Sequence, residues 1–163
     1  MSLSKTKLAE KIIGYTFTDS DLITTALTHP SAVENKPVTA SYERLEFLGD
    51  SVLGAIVAQE LYHRYPRRDE GALTRMKISL VSGKKLSAVA DELGLGDCII
   101  FGESEKGTGA RGMASALENV YESIVGALFL DAGIDVVHAF VLRTLEPHFS
   151  AAVADAPISP KSR

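Results

Sequence analysis

The chain has 163 residues, of which 45% are apolar and 23% are charged, a composition that allows one domain with a packed core. Its net charge of -4 argues against a nucleic-acid-binding protein held to phosphates by bulk positive charge. No apolar run approaches the roughly 20 residues that span a bilayer, the first ten residues lack the apolar stretch of a secretory signal, and Cys98, the single cysteine, cannot form an internal disulfide. We therefore expect a cytoplasmic protein without a membrane segment.

The first half of the chain predicts helices separated by short breaks. One helix begins after Ser4 as its N-cap and ends at Gly14, and a second opens at Asp19 or Ser20. Residues 31–40 contain a proline and no periodicity, which predicts a loop. A long helix follows over about residues 42–65 and stops at Pro66.

The second half continues the helical pattern and predicts an all-α domain of about seven helices. Residues 69–94 form two helices that are broken near Ser82 and closed by Gly94. The glycine-rich stretch "GESEKGTGARG" predicts a loop. A strongly apolar helix then runs from Met113 to Gly133, and a last amphipathic helix extends from Ile134 to about Ala152.

The long helix carries acids on one side and glycines in its interior. At about 100° per residue, Glu43, Glu46 and Asp50 fall within roughly 60° of arc. Gly49 and Gly54 each cost about 1 kcal/mol relative to alanine in a helix interior, and the usual reason for such a glycine is the close approach of another helix. The helix is therefore expected to be tightly packed while it keeps acids on one seam.

A second group of oxygen-bearing side chains lies downstream, where Glu118, Asn119 and Glu122 are three and four residues apart. Carboxylate and amide oxygens are the ligands that suit Mg²⁺ or Mn²⁺. The spacing therefore allows a divalent-metal site shared by two helices. The alternative is two unrelated, solvated acidic faces.

Four stretches of the sequence, taken in order and spacing, point to one family. They are "ALTHPS" at 26–31, "YERLEFLGDSVLG" at 42–54, "DEGALTRMKISLVSGKKL" at 69–86 and "ALENVYESIVGALFLDAG" at 116–133. The second resembles the signature stretch of the ribonuclease III family, whose members cut double-stranded RNA, and the first resembles a segment that precedes it. The third resembles the family's following helix pair, and the fourth resembles its second catalytic helix. The resemblance covers about residues 8–150 and implies the all-α fold of the family's endonuclease domain.

The resemblance also implies roles for single residues. Asp50 and Glu122 match the two carboxylates essential for catalysis, and together with Glu46 and Asn119 they match the metal-binding positions. Further acids near the cleavage site correspond to Glu43 and Glu70.

Dimerisation and chemistry follow from the same resemblance. Phe47 matches an aromatic residue that inserts into a socket on a second subunit, which implies a homodimer. The implied reaction is Mg²⁺-dependent hydrolysis of double-stranded RNA, with Mn²⁺ as a substitute and no small-molecule cofactor. A staggered cut would leave 5′-phosphate and 3′-hydroxyl ends, and processing of ribosomal RNA precursors and mRNA is the role implied for a bacterial member.

Basic residues are the candidates for contacts with RNA phosphates, each with the alternative of being an ordinary solvated surface charge. They are Arg64, Arg67, Arg68, Arg75, Lys77 and Arg111.

Three departures from the family pattern qualify the resemblance. Pro30 replaces a basic residue, and Asn119 replaces an aspartate that normally binds metal, a loss for which the neighbouring Glu118 is the candidate compensator. The double-stranded-RNA-binding domain that usually follows is missing, so we expect a catalytic domain over residues 1–152 and a linker over residues 153–163. The last four residues of the chain, "PKSR", resemble the opening of that RNA-binding domain.

Two other functions remain open from the sequence. The first is a non-enzymatic relative that keeps the fold as an RNA-binding scaffold, which loss of several acids would indicate. The second is an all-α nucleoside triphosphate pyrophosphohydrolase, which also places acids on helices around Mg²⁺. In that class the two acidic motifs lie much closer together than Glu46 and Asn119 do here.

Overall fold

The computed structural model describes residues 4–103 and 109–155, and within them the regular elements are helices. This confirms the all-α fold class. The α-helices in these ranges are α1 (Lys5–Ile13), α2 (Ser20–Leu27), α3 (Glu43–Arg64), α4 (Glu70–Val81), α5 (Gly83–Leu93), α6 (Ala110–Ala132), α7 (Ile134–Leu145) and α8 (Phe149–Asp155).

Helix α6 is the centre of the core. Helices α2, α3, α5 and α7 all pack against it. Residues 120–128 of α6 are buried on every side, as expected of a helix that neighbouring elements surround completely. The side chains of Glu122 and Ser123 are therefore polar groups inside an otherwise apolar stretch.

The closest helix crossing joins α3 and α6 through two glycines. A Cβ atom added at Gly49 would lie 1.7 Å from the backbone oxygen of Glu122, and one added at Gly126 would lie 2.4 Å from the backbone oxygen of Leu45. Neither helix can therefore carry a side chain at this point. The sequence predicted the close approach of another helix at Gly49, and the structure shows that this helix is α6 of the same chain.

The "ALTHPS" segment joins the start of α3 to the rest of the fold. The backbone N–H of Tyr42 donates to the carbonyl oxygen of Thr28 at 2.9 Å, and the N–H of His29 donates to that of Ile100 at 2.9 Å. Pro30 is the first residue of a short 3-10 turn, where a missing N–H costs no hydrogen bond. The departure at Pro30 is thus accommodated locally.

Several predicted boundaries differ from the structure. The last predicted helix is divided between α7 and α8 by a 3-10 turn at Glu146–His148, because Pro147 has no N–H with which to continue the α-helical ladder. Helix α6 begins at Ala110, before the predicted Met113, and the predicted loop over residues 31–40 contains two short 3-10 turns.

The predicted linker over residues 153–163 lies only partly within the described residues. Residues 153–155, expected in the linker, belong to α8. The rest of that linker, residues 156–163, lies outside the described residues, as do residues 104–108 of the predicted glycine-rich loop. Within the described residues no helix combines the length and the apolar character needed to cross a bilayer.

The crossing predicts that Gly49 and Gly54 respond oppositely to substitution by alanine. Gly49→Ala should destabilise the fold by about 3 kcal/mol or more, because a Cβ at this position forces two backbones apart. Gly54→Ala should be neutral or stabilising by about 0.5 to 1 kcal/mol, since the nearest atoms there are the movable end of a lysine side chain at 3.4 Å. Urea unfolding of the two variants measures both, and equal effects would contradict the assigned crossing.

Candidate active site

The glycine crossing brings acids of α3 and α6 together. Glu46 and Asp50 lie one turn apart on α3, and Glu118 and Glu122 lie one turn apart on α6. The carboxyl groups of Asp50 and Glu122 approach to hydrogen-bonding distance. Asp50 is exposed, whereas Glu122 is only 7% exposed, so the pair connects the interior to the surface.

Burial and like charge both favour protonation in this cluster. Burial, the hydrogen bond with Asp50 and the neighbouring charges of Asp50, Glu118 and Glu46 raise the pKa of Glu122 to about 8. Burial, followed by the charges of Glu43, Glu118 and Asp50, raises the pKa of Glu46. Without a cation, the cluster therefore holds a proton that isolated carboxyl groups would release.

Asn119 and Glu118 are positioned by contacts that the sequence did not reveal. The Asn119 side-chain nitrogen donates to the hydroxyl of Tyr42 at 3.2 Å, which leaves the amide oxygen as the atom it would offer a cation. The Glu118 carboxylate lies against Gly83 at the start of α5, where a Cβ would come within 2.5 Å of its oxygen. The sequence predicted only a break between two helices at this point.

Two of the expected accessory acids lie outside this arrangement. Glu43 accepts a hydrogen bond from the Ser41 hydroxyl at 3.2 Å, and it influences the cluster only through its charge on Glu46. Glu70 is exposed in the first turn of α4 and is not among the charges that shift Glu46 or Glu122.

The four metal-ligand candidates share a suitable chemistry but are not arranged as a closed cage. Their donors are carboxylate and amide oxygens, the type that Mg²⁺ and Mn²⁺ prefer. In residues 4–103 and 109–155, no three Asp, Glu, His or Cys side chains are gathered closely enough to enclose a metal ion. The oxygen set therefore fits a hard cation once Glu122 has lost its proton and the side chains turn toward the ion.

Arg64, a predicted phosphate contact, is engaged within the protein instead. Its guanidinium donates two hydrogen bonds to Glu146, at 2.6 and 2.7 Å, and one to Glu60 at 2.8 Å. It also stacks over the ring of Phe149. Arg64 thus joins α3 to the α7–α8 junction, and the sequence could not reveal this because Glu146 is 82 residues away.

The other predicted phosphate contacts differ in their surroundings. Arg67 and Arg75 are exposed, and Lys77 is half-buried on α4. Arg68 takes part in an interaction within the protein. The side chain of Arg111 lies outside the described part of the structure.

A largely apolar cavity of about 830 Å³ lies at the N-terminal half of α3. Leu22, Leu48 and Leu130 line it. Phe47 lies at the same cavity and is 80% exposed, although it is a large apolar residue. Such an exposed aromatic beside an apolar cavity is typical of an interaction surface.

Comparison with known proteins assigns the chain to a family. A family model described as "Ribonuclease-III-like" matches residues 19–148. The chain belongs to the ribonuclease III-like family. It is 41% identical over 156 residues to Ribonuclease 3 of Anaplasma phagocytophilum, an alignment that covers 96% of this chain and 65% of that protein. It is 45% identical over 136 residues to Ribonuclease 3 of Colwellia psychrerythraea, which covers 83% of this chain and 49% of the relative.

The match to solved structures includes a ribonuclease III nuclease domain. The nuclease domain from Campylobacter jejuni has a TM-score of 0.80 and 35% sequence identity, covering 88% of this chain and 98% of that one. That structure is described as showing flexibility in a region involved in dimer formation. The chain spans about half to two thirds of the length of the ribonuclease III relatives named above.

The raised pKa of Glu122 predicts how the metal-free protein responds to pH. Because the folded state keeps a proton that the unfolded chain releases, stability should fall as pH rises from the ordinary value of 4.5 toward about 8. Glu122→Gln cannot ionise, so its stability should vary less over this range. At pH 8 in a chelator we expect it to melt about 3 to 6 °C higher than the wild type, or roughly 1 to 2 kcal/mol.

Thermal melts across this pH range test that expectation. Asp91→Asn, which also removes one acid but at an exposed position on α5, is the matched control and should follow the wild-type curve. Parallel curves for wild type and Glu122→Gln would show that Glu122 does not hold the proton.

Proposed function

We propose that the chain is the catalytic domain of an endoribonuclease that hydrolyses double-stranded RNA with a divalent cation. The observation that supports this most directly is the hydrogen-bonded pair of Asp50 and Glu122 at the α3–α6 crossing. One carboxyl group is buried and the other is exposed. A substrate can therefore reach Asp50, while Glu122 is shielded from bulk water and keeps a fixed position.

The proposed metal-binding residues are Glu46, Asp50, Asn119 and Glu122. Bound at their oxygens, Mg²⁺ or Mn²⁺ would supply Lewis-acid chemistry, which activates water for attack on a phosphodiester and offsets the charge of that anion. Glu122 would have to give up its proton to take part. The mutual repulsion that raises the pKa of Glu122 is the interaction that a cation would relieve.

Glu118 is proposed to add the charge that an amide at position 119 lacks. It acts electrostatically on both Glu46 and Glu122, while the Asn119 amide is tied to Tyr42 through its nitrogen. Calorimetric titration with Mn²⁺ would separate the contribution of Glu118 to cation binding from that of Asn119. Glu118→Gln should weaken binding more than Asn119→Ala does, and the reverse order would make Asn119 the stronger donor.

Double-stranded RNA is the proposed substrate because a duplex suits a paired enzyme. In the proposed homodimer, the exposed Phe47 of each subunit enters the apolar cavity of the other subunit. A two-fold axis relates these two identical contacts. Each subunit would then supply one cutting centre, and the two cuts would be staggered. The products would carry 5′-phosphate and 3′-hydroxyl ends.

The wider biological role is also a proposal. The relatives are longer than this chain, and a double-stranded-RNA-binding domain is the proposed use of their additional length. The catalytic domain would extend to the end of α8. A cytoplasmic enzyme that processes ribosomal RNA precursors and mRNA would fit this arrangement, with the buried Cys98 thiol kept reduced.

Cleavage of a long RNA duplex at low salt with Mg²⁺ tests the proposed activity. We expect the wild type to cut the duplex and to leave single-stranded RNA and duplex DNA of the same sequence intact. Asp50→Asn should reduce the rate by about 100 to 1,000-fold or more, because the neutral amide nearly preserves the shape but removes a negative charge that the bound cation needs. The helical fold, followed by circular dichroism, should not change.

The same assay includes a control variant and distinguishes the two alternative functions. Asp91→Asn, exposed on α5, should cut at the wild-type rate. Duplex binding without any cut would favour an RNA-binding scaffold, and release of pyrophosphate from nucleoside triphosphates would favour a pyrophosphohydrolase. Wild-type turnover by Asp50→Asn under saturating Mg²⁺ would remove Asp50 from the proposed site.

Phe47→Ala tests the proposed homodimer. Phe47 is 80% exposed in one subunit, so the substitution should leave the subunit fold intact. Loss of each buried ring would weaken the association free energy of the dimer by about 3 to 5 kcal/mol. Activity should fall as the dimer dissociates. Tyr62→Ala, which removes another exposed aromatic ring from α3, is the matched control and should remain a dimer. A wild-type monomer in sedimentation at micromolar concentration would contradict the homodimer.

A further inference from the structure

The end of the Lys77 side chain lies on the bare backbone of α3. A Cβ atom placed at Gly54 would be 3.4 Å from both Cε and Nζ of Lys77. Glycine leaves this space open, and the lysine stem fills it. Because the stem rests on a helix, the ammonium group should have less freedom than that of a lysine extended into water.

This ammonium group lies close to the acid cluster along α3. Gly54 follows Asp50 by four residues, and residues four apart share one side of a helix with Cβ atoms about 5 to 6 Å apart. Adding the 3.4 Å contact places the Lys77 nitrogen within about 10 Å of the Cβ of Asp50. A positive charge is therefore held beside the exposed acid of the proposed site.

The Lys77 charge is available to a ligand. Among residues 4–103 and 109–155, no carboxylate lies within 4.0 Å of its nitrogen and no hydrogen bond engages it. Arg64 differs in this respect, because Glu60 and Glu146 neutralise its guanidinium. With 17 basic and 21 acidic residues, the chain has no excess of positive charge that would make a single lysine redundant.

On the basis of the proposed function, we infer that Lys77 binds a backbone phosphate of the RNA strand that is cut, within a few nucleotides of the scissile bond. Each strand of a duplex carries about one charge per 3.4 Å of its axis, so a distance of about 10 Å corresponds to roughly three phosphates. A lysine ammonium acts as a point charge toward phosphate and needs no particular base. Lys77 would thus hold the strand over Asp50 and take no part in proton transfer.

Lys77→Gln tests this role, with Lys11→Gln as the matched control. Lys11 is exposed on α1 and lines a different cavity, between α1 and α7. In duplex cleavage with Mg²⁺, Lys77→Gln should raise KM about 10-fold, the size of one charged contact, and change kcat less than about 2-fold. Lys77→Arg should restore most of the loss, and Lys11→Gln should behave as the wild type.

The salt dependence of binding separates a phosphate contact from a purely structural effect. Duplex affinity is measured by fluorescence anisotropy in the Asp50→Asn background, where cleavage should be at least about 100-fold slower. Lys77→Gln should lower the slope of log affinity against log salt by roughly one for each Lys77 in contact with the duplex. Gly54→Leu keeps the lysine charge but occupies its resting place, so it should reproduce part of the affinity loss.

The outcomes distinguish this inference from the proposed function. An unchanged salt slope for Lys77→Gln, with or without a lower melting temperature, would overturn the assignment of Lys77 to a phosphate. A wild-type chain that cuts no duplex RNA would count against the proposed function. The binding slopes in the Asp50→Asn background would still decide the role of Lys77.

Discussion

The arrangement of this protein depends on one backbone contact, the crossing of α3 and α6 at Gly49 and Gly126. Two helices with side chains at the contact would lie about 8 to 10 Å apart, and glycine at both positions allows a closer approach. The acids that flank the glycines, Glu46 and Asp50 on one helix and Glu122 on the other, are carried into each other's reach as a consequence. The packing of the core and the composition of the site are therefore set by the same two residues.

That contact forces an unfavourable electrostatic arrangement. Burial and like charge raise the pKa of Glu122 to about 8, far above its ordinary value. Other interactions must offset this cost in folding free energy. Burial of the apolar residues among positions 120–128 is the evident source. A site assembled against its own repulsion is poised to take up positive charge, from a proton, a metal ion or a nearby ammonium. The proposed role of Lys77, whose side chain lies against Gly54, is consistent with this arrangement. A positive charge beside the acids would lower the electrostatic cost of bringing an anionic RNA strand to them.

The sequence predicted the features whose causes are local. Helix starts at Ser4 and Asp19 and the stop at Gly14 follow from capping chemistry, and the structure confirms them. The acidic spacing on α3 and α6 follows from helix geometry alone. What the sequence could not give depends on pairs that are far apart in the chain. Examples are the engagement of Arg64 by Glu146 and the contact of Glu118 with Gly83.

Helix α3 has to serve three neighbours at once, which explains why its sequence has no simple apolar stripe. Leu45, Gly49, Val52 and Leu53 face the core. Glu46, Asp50 and Gly54 follow one another at four-residue intervals on a second side, toward the acids of α6 and the Lys77 stem. Phe47 points away from both and is exposed. Because Glu46 and Phe47 are adjacent, only about 100° of rotation separates the proposed metal side from the proposed subunit contact. Any shift of α3 that moves the backbone of Phe47 must therefore also move that of Glu46, so the proposed subunit pairing would be linked to the geometry of the acids through one helix.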